Sequence, residues 1–400
     1  MISIDKIKNL AKELLPEIIS IRRHLHANPE LSFEETETAK YICSVLQKES
    51  IEFKKGIAGT GIVATIKGNN PESRTIALRA DMDALPIKEE NKKEYCSKNN
   101  GVMHACGHDV HTASLLGVAM ILNRCRAEIN GTVRFIFQPG EEKLPGGASL
   151  MIKEGVLESR WLSGPPPEFI LGQHVFPELE TGKVGFRSGM YMASTDELYL
   201  TVKGKGGHAA MPSQYVNPLI IASEILTQLN ELFMGENKIQ KEIPTVLAFG
   251  KINSTGGATN VIPEEIKIEG TFRTMNEEWR MSAHATMMVK ASSIAHNMGG
   301  KAELRIERGY PFLVNDEKIT TNSKNAAIEY LGKENVVDLD LRMTAEDFSY
   351  YTQVIPACFY RLGTRNESKG IISAVHTPTF DVDEKSLEVG MGLMAWMAIK

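Results

Sequence analysis

A cysteine and two histidines stand close together in His104-Ala105-Cys106-Gly107-His108-Asp109, just ahead of a helical stretch beginning near His111. The dipole and unpaired N–H groups at a helix start favour a thiolate, the form of cysteine that binds metal. Cys-x-His alone is a weak signal, because a packed cysteine beside a surface histidine reads the same way. Its weight comes from what stands elsewhere. Asp81 and Asp83 follow a strand-like run at 75–80, and Glu141 and Glu142 follow another at 132–137 across a Gln138-Pro139-Gly140 turn. His174 follows the apolar run 169–172, and His376 follows the apolar run 371–375. Open α/β sheets bind ligands outside the carboxyl ends of their strands, so these clusters are expected to converge on one sheet edge as a metal site. His104 and His111 read as supporting or surface residues, since a site rarely uses every nearby imidazole.

Two adjacent carboxylates on one turn cannot both usefully ligate one ion. They can divide the work, one binding metal and the other taking a proton from water. The rigid Gln-Pro-Gly entry and the Gly146-Gly147 exit favour a positioned turn over an exposed acidic pair. Further along, Gly204-Lys205-Gly206-Gly207-His208 follows a strand but lacks the Gly-Lys-Ser/Thr ending of a phosphate loop, which argues against nucleotide binding. Its glycines are expected to free the backbone so that His208 projects. Asn260 falls in a turn between Gly256-Gly257 and Pro263, and Arg273 ends a strand as a natural fork for a substrate carboxylate. For His208, Asn260 and Arg273 a purely structural role stays open on residue type alone.

The elements that must position these residues alternate along the chain. Residues 5–26 and 33–49 carry helical apolar spacing, 61–66, 75–80 and 132–137 read as strands, and 111–126 as a helix. This mixture predicts an α/β domain with a largely buried mixed sheet and helices on both faces. From about Ser188 the order becomes strand (197–203), helix (217–233), strand (245–252), strand (265–274), helix (277–297) and strand (302–310). That is the ferredoxin-like βαββαβ arrangement, a complete small sheet with two helices on one face. The expected division is 1–187 with 311–400 for the metal-binding domain and 188–310 for an inserted one. Edge strands of such an insert could pair with a second copy across a two-fold, so a homodimer is expected.

Four hundred residues are too many for one ordinary core, in keeping with two domains. The net charge is -5 and no Lys/Arg block occurs, which excludes nucleic acid and anionic membrane as expected partners and leaves a small molecule. No apolar run approaches the ~20 residues that span a bilayer. The first 21 residues mix apolar and charged positions and do not read as a secretory signal. Five scattered cysteines argue against a disulfide framework, and the expected compartment is the reducing cytoplasm.

Four segments together resemble a known family: Arg79-Ala80-Asp81-Met82-Asp83-Ala84-Leu85-Pro86, Met103 to Asp109, Gln138-Pro139-Gly140-Glu141-Glu142, and Gly204 to His208. The chain is similar to zinc metallopeptidases of the aminoacylase/carboxypeptidase type. The nearest branch is that of the amidohydrolases, which includes hippurate hydrolase, N-acetyl-diaminopimelate deacetylase and the plant indole-acetyl-amino-acid hydrolases. Thr344-Ala345-Glu346-Asp347-Phe348 and His376-Thr377-Pro378 extend the match over nearly the whole length.

The resemblance implies two divalent ions per subunit, with Cys106, His108, Glu142, His174 and His376 as ligands and Glu141 as the base that activates a metal-bound water. The mixed S/N/O set suits Zn, Mn, Co or Ni. Asp81 stands where the wider family has its first His ligand, so Asp81 and Asp83 are expected to support the site. The insert becomes a lid and dimerisation domain, with one subunit's His208 reaching its partner's site to stabilise the oxyanion, and Asn260 and Arg273 holding the substrate. Many relatives have Ala where this chain has Gly140, a change expected to leave the glutamates in place. The implied reaction is hydrolysis of an N-acyl amino acid, or a small related peptide, to a carboxylic acid and a free amine. Two alternatives differ in kind. A thiol amidase would use Cys106 as nucleophile and survive chelation. A non-catalytic dimeric binding protein on the same scaffold would need the base or a ligand missing. A zinc nucleobase deaminase is disfavoured, because its H-x-E and C-x-x-C pair is absent.

Overall fold

The apolar runs assemble into one eight-stranded mixed sheet. A computed structural model of the chain describes residues 2–159, 164–256 and 258–400, so Gly257 of the turn before Asn260 lies outside the described residues. The strand order is Glu52–Ile57, Gly61–Lys67, Thr132–Gln138, Thr75–Asp81, Phe169–Glu180, Ala357–Arg365, Val184–Phe186, Val336–Asp338. Thr132–Gln138, Thr75–Asp81, Phe169–Glu180 and Ala357–Arg365 run parallel to one another. Thr132–Gln138 and Thr75–Asp81 are buried at every position, as strands covered on both faces must be. Because these four point the same way, their carboxyl ends share one edge.

Helices Ile4–Ala27, His108–Arg124 and Ser386–Ile399 contribute to the core on one side of that sheet. Ile7, Ala11, Leu14, Ile18, Ile21 and Leu25 form the buried stripe of the first, and Ser3 caps it by accepting the Lys6 N–H. His108–Arg124 is buried from His108 through Leu122, which explains the lack of an apolar stripe in its sequence. Phe135 and Phe137 join this core, while the alternate residue Arg134 donates to the carbonyls of Val156 and Glu158, beyond the helix Gly147–Lys153.

Two expectations about strand ends need correction. The strand holding His174 does not stop at Gly172 but continues to Glu180. Its rungs with Thr75–Asp81 end at Arg79 with Gly172, so His174, level with Asp81, lies past the last rung while remaining paired with Arg361 on its other side. The run before His376 is no strand: residues 372–375 are irregular and His376 takes a left-handed φ of 62°.

The described chain forms two compact units, Met1–Tyr191 with Val314–Asp340 and Asp347–Lys400, and Met192–Leu313 with Leu341–Glu346. Against expected boundaries at 188 and 310, six later residues fall in the second unit, where the carbonyls of Arg342 and Thr344 accept the Ala193 N–H. Within that unit a four-stranded antiparallel sheet runs Thr245–Ser254, Glu265–Thr274, Asp196–Lys203, Lys301–Arg308. Leu198, Leu200 and Val202 alternate inward and pack with Ile225, Leu229 and Phe233 of helix Pro218–Met234 and Met287 of helix Glu277–Asn297. Asn217 and Asn276 cap these helices. This is the ferredoxin-like order expected from the sequence. Among the described residues, no helix is long and apolar enough to cross a membrane.

Candidate metal centre

The parallel pairing sets Asp81 directly across from Gln138, so the turn carrying Glu141 and Glu142 starts beside Asp81. The helix after the Cys/His segment begins at His108 rather than near His111, because Gly107 serves as N-cap with φ 82°. A Cβ at Gly107 would fall 2.5 Å from a Val175 methyl carbon. The glycine therefore lets the backbone between Cys106 and His108 lie against the strand residue next to His174.

Cys106 Sγ is 3.4 Å from His174 Nε2 and 3.3 Å from His376 Nε2. Glu142 Oε1 is 3.2 Å from His376 Nε2 and 3.9 Å from His108 Nε2. Donor atoms of Cys106, His108 and His174 lie within 4.8 Å of one another, as do those of Cys106, Glu142 and His376, and those of His108, Glu141 and Glu142. Residues from four distant stretches thus meet, and Cys106 belongs to two of the groups. His108 Nε2 is buried without a hydrogen-bond partner, while its Nδ1 faces Asp83 Oδ1 at 3.1 Å. An orphaned buried nitrogen beside sulfur and carboxylate is costly unless a ligand fills the gap. His174 Nδ1–H donates to the Val175 carbonyl at 2.7 Å, which leaves its Nε2 lone pair toward Cys106. Sulfur, imidazole and carboxylate donors in this arrangement fit divalent transition ions.

The electrostatics follow from burial and these contacts. Burial pushes the Cys106 thiol up, with Glu142 adding to it. His376 is pushed up to about 10 by its hydrogen bonds to Cys106 and Glu142. Burial, with Arg361 nearby, holds His174 well below the ordinary histidine range, so it is neutral and ready to ligate. Burial opposes the charge on Asp81, but His108, Arg79 and His111 outweigh it and hold the carboxyl well below its usual range.

Asp81 and Asp83 work through their neighbours. Asp83 accepts from the Ser32 hydroxyl at 2.6 Å and the Glu142 N–H at 3.0 Å besides facing His108. Asp81 accepts from Arg79 at 2.6 Å and from His111 Nδ1–H at 2.6 Å. The Val175 N–H donates to His111 Nε2 at 2.9 Å. Both His111 nitrogens are occupied, so His111 orients Asp81 and is no ligand. His104 is also buried, and burial pushes it down to about 4; neither histidine is a surface residue.

Glu141 is buried, and the Asp347 N–H donates to its Oε1 at 3.3 Å. In the second unit His208 lies on a two-residue strand paired with Val261-Ile262, and the Ala209 N–H donates to the Asn260 carbonyl at 3.0 Å. The structure thus sets His208 on an exposed ribbon and Asn260 in the turn that leads into it. Arg273, half-buried on the Glu265–Thr274 strand, donates to the Met343 carbonyl at 3.2 Å.

Residues 77–400 match the sequence profile of peptidase family M20/M25/M40, which is most of the chain. The chain belongs to that family. It is 38% identical to an N-acetylcysteine deacetylase of Bacillus subtilis, over 96% of each chain. It is 37% identical to an IAA-amino acid hydrolase of Arabidopsis thaliana, covering 99% of this chain and 88% of that one. Among solved structures, a dinuclear metal-binding M20 peptidase of Bacillus subtilis superposes with a TM-score of 0.82 at 36% identity, covering 97% of this chain and 98% of that one. The protein is a metal-dependent hydrolase of the amidohydrolase branch.

Sequence reasoning missed the residues that brace the centre of this M20 enzyme. The Asp347 carboxylate accepts from Arg79 at 2.7 Å, from the Gln138 side-chain amide at 2.9 and 2.8 Å, and from the Ala148 N–H at 3.0 Å. Buried Arg22 donates to Asp109 at 2.7 Å and to Asp381 at 3.2 Å, joining the segment after His108 to the segment after His376. Arg22 sits on the buried face of its helix, beside Ile18, Ile21 and Leu25. The only available signal was an arginine on the apolar side of an amphipathic helix.

Proposed function

We propose that this M20 hydrolase cleaves the amide bond of N-acyl amino acids, or of small related peptides, to a carboxylic acid and a free amino acid. The observation that carries the reading is the convergence of two Cys106-centred donor groups with the buried carboxylate of Glu141. Relatives named for N-acetylcysteine deacetylation and for IAA-amino acid hydrolysis support the substrate class.

Cys106, His108, Glu142, His174 and His376 would hold two divalent ions, and these supply Lewis acidity that polarises the amide carbonyl and acidifies water. Glu141 takes the proton of the attacking water and returns it to the leaving nitrogen. Asp81 and Asp83 keep the ligand histidine and the 141–142 turn in place. Residues 188–310 act as lid and dimerisation domain. The partner subunit's His208 donates to the oxyanion, a contribution of roughly 3 kcal/mol for a well-placed donor. Asn260 and Arg273 hold the substrate, the latter through its carboxylate.

The test is a panel of N-acetyl, N-benzoyl and N-indoleacetyl amino acids, assayed with chelated enzyme reloaded with Zn, Mn, Co or Ni. Chelation is expected to abolish turnover and reloading to restore it, with one acyl class preferred. Undiminished turnover after verified metal removal would instead make Cys106 a nucleophile, and no turnover of any member in any metal form would overturn the substrate class.

A further inference from the structure

The turn that presents Glu141 is anchored on both sides by buried carboxylates. The Gly140 N–H donates to Glu35 Oε1 at 2.8 Å, and the Glu142 N–H donates to Asp83 Oδ2 at 3.0 Å. Asp83 has a histidine beside it; Glu35 has a different environment. Glu35 is fully buried, and its other hydrogen bonds come from the Phe33 N–H on Oε1 at 2.8 Å and the Thr60 hydroxyl on Oε2 at 2.7 Å. All three donors are neutral. A buried carboxylate held only by neutral donors is costly, and burial accordingly pushes the Glu35 pKa up. Helix capping does not account for it. Glu35 sits at the N-cap of helix Thr36–Lys48, yet its side chain makes no capping bond.

Phe33 adds a second restraint. Its φ of 67° is left-handed, a conformation a bulky residue keeps only when its surroundings demand it. Its ring fills the space in front of Gly140, where a Cβ would fall 2.4 Å from ring carbons Cε1 and Cζ. Gly140 itself is left-handed at φ 57°, and its carbonyl accepts the Gly147 N–H at 3.0 Å. The expectation that Ala would fit at 140 therefore fails in this chain, both through the Phe33 ring and through the left-handed φ. Ser32 donates to Asp83, so the 32–35 segment reaches both anchors of the turn.

We propose that Glu35 and Phe33 are positioning residues for Glu141, Glu35 by holding the Gly140 N–H and Phe33 by blocking the space into which the turn would relax. This rests on Glu141 being the base. Neither residue touches reacting atoms; each acts through the backbone next to the base.

The test uses the metal-loaded full chain and compares Glu35→Ala, Glu35→Gln, Gly140→Ala and the double variant Gly140→Ala/Phe33→Ala. Readouts are kcat, KM, bound-metal stoichiometry and amide exchange over residues 138–147. Glu35→Ala is expected to lower kcat about 100-fold, the scale of a small misplacement of a catalytic group. KM and metal stoichiometry should stay within about twofold of the parent, with faster exchange confined to that turn. Glu35→Gln keeps an oxygen for the two N–H groups and should recover most of the loss. Gly140→Ala should lose about tenfold or more, and Phe33→Ala in the double variant should restore the part due to the ring contact, the left-handed φ of residue 140 keeping the rest. Parent-like kcat in Glu35→Ala, equal losses in both Glu35 variants, or a Gly140→Ala defect that Phe33→Ala leaves untouched would overturn the proposal. So would metal loss or faster exchange throughout the chain. Glu141→Gln, assayed alongside, tests the underlying reading separately: retained turnover there removes the base assignment whatever the Glu35 variants do.

Discussion

Three donors of the first unit and two candidate residues of the second are held in opposite ways, while His376 is exposed and Arg273 half-buried. Cys106, His108 and His174 are buried, and Asp83 and the Val175 carbonyl orient the rings of His108 and His174. His208 is exposed on a ribbon two residues long on each strand, and Asn260 is exposed in the turn that leads into it. A metal site needs donors fixed before the ion arrives, because reorganisation would be charged against affinity. A short exposed ribbon has little buried area to stabilise it, and such elements open at low cost. Substitutions should therefore divide by region: in the first unit they disturb stability, metal or proton transfer, and on the ribbon they disturb catalysis alone.

The largest expected effect is at Glu141. Glu141→Gln should lower kcat by up to about 10⁴-fold with full metal content, measured by steady-state kinetics and elemental analysis. Next is the buried brace. Arg22→Met takes the guanidinium from buried Asp109, leaving it only His26 at 2.8 Å, and should cost about 3–5 kcal/mol in denaturant unfolding. A loss as small as a surface substitution would break the contrast between the two regions. His208→Ala should lower kcat about 10²–10³-fold, as for a lost oxyanion donor, while changing stability by no more than about 0.5 kcal/mol. A destabilised His208→Ala would show the ribbon to be structural.

The smallest effect concerns acid. Burial opposes the charge on Glu89, but the hydrogen bond from His26 and the Ser97 N–H lower its pKa to about 2 from 4.5. A carboxyl depressed in the folded state stabilises fully above its unfolded pKa and loses that contribution as pH falls from about 4.5 toward 2. Glu89→Gln should therefore be less stable than the parent near pH 6, with the gap narrowing below pH 4.5. Denaturant titrations at several pH values check this, and a constant gap would remove Glu89 from the acid response.

Much of this molecule was legible before any coordinates. The βαββαβ order from Asp196 onward follows from local periodicity, since alternation and helical spacing are properties of neighbouring residues. The expected convergence was legible too, because Cys106, His108, Glu141, Glu142, His174 and His376 are donor types whose side chains do meet, although their separate roles came from the family resemblance. What local pattern cannot encode is contact across sequence. The apolar run 371–375 has a strand's composition, but only Ile371 pairs, in a single bridge with Asn366, and the rest is irregular chain. His174 sits inside a strand, past its last rung with Thr75–Asp81, a matter of register between distant segments. His111 was expected to support the site or to lie at the surface, and the Val175 N–H and the Asp81 carboxylate, one at each ring nitrogen, place it as a support. The residue types were determined by the sequence alone. Which ring nitrogen of His108 stays unbonded, and which N–H of the 138–142 turn Glu35 accepts, were decided by tertiary structure, because hydrogen bonds between buried groups are directional and join segments that no periodicity connects.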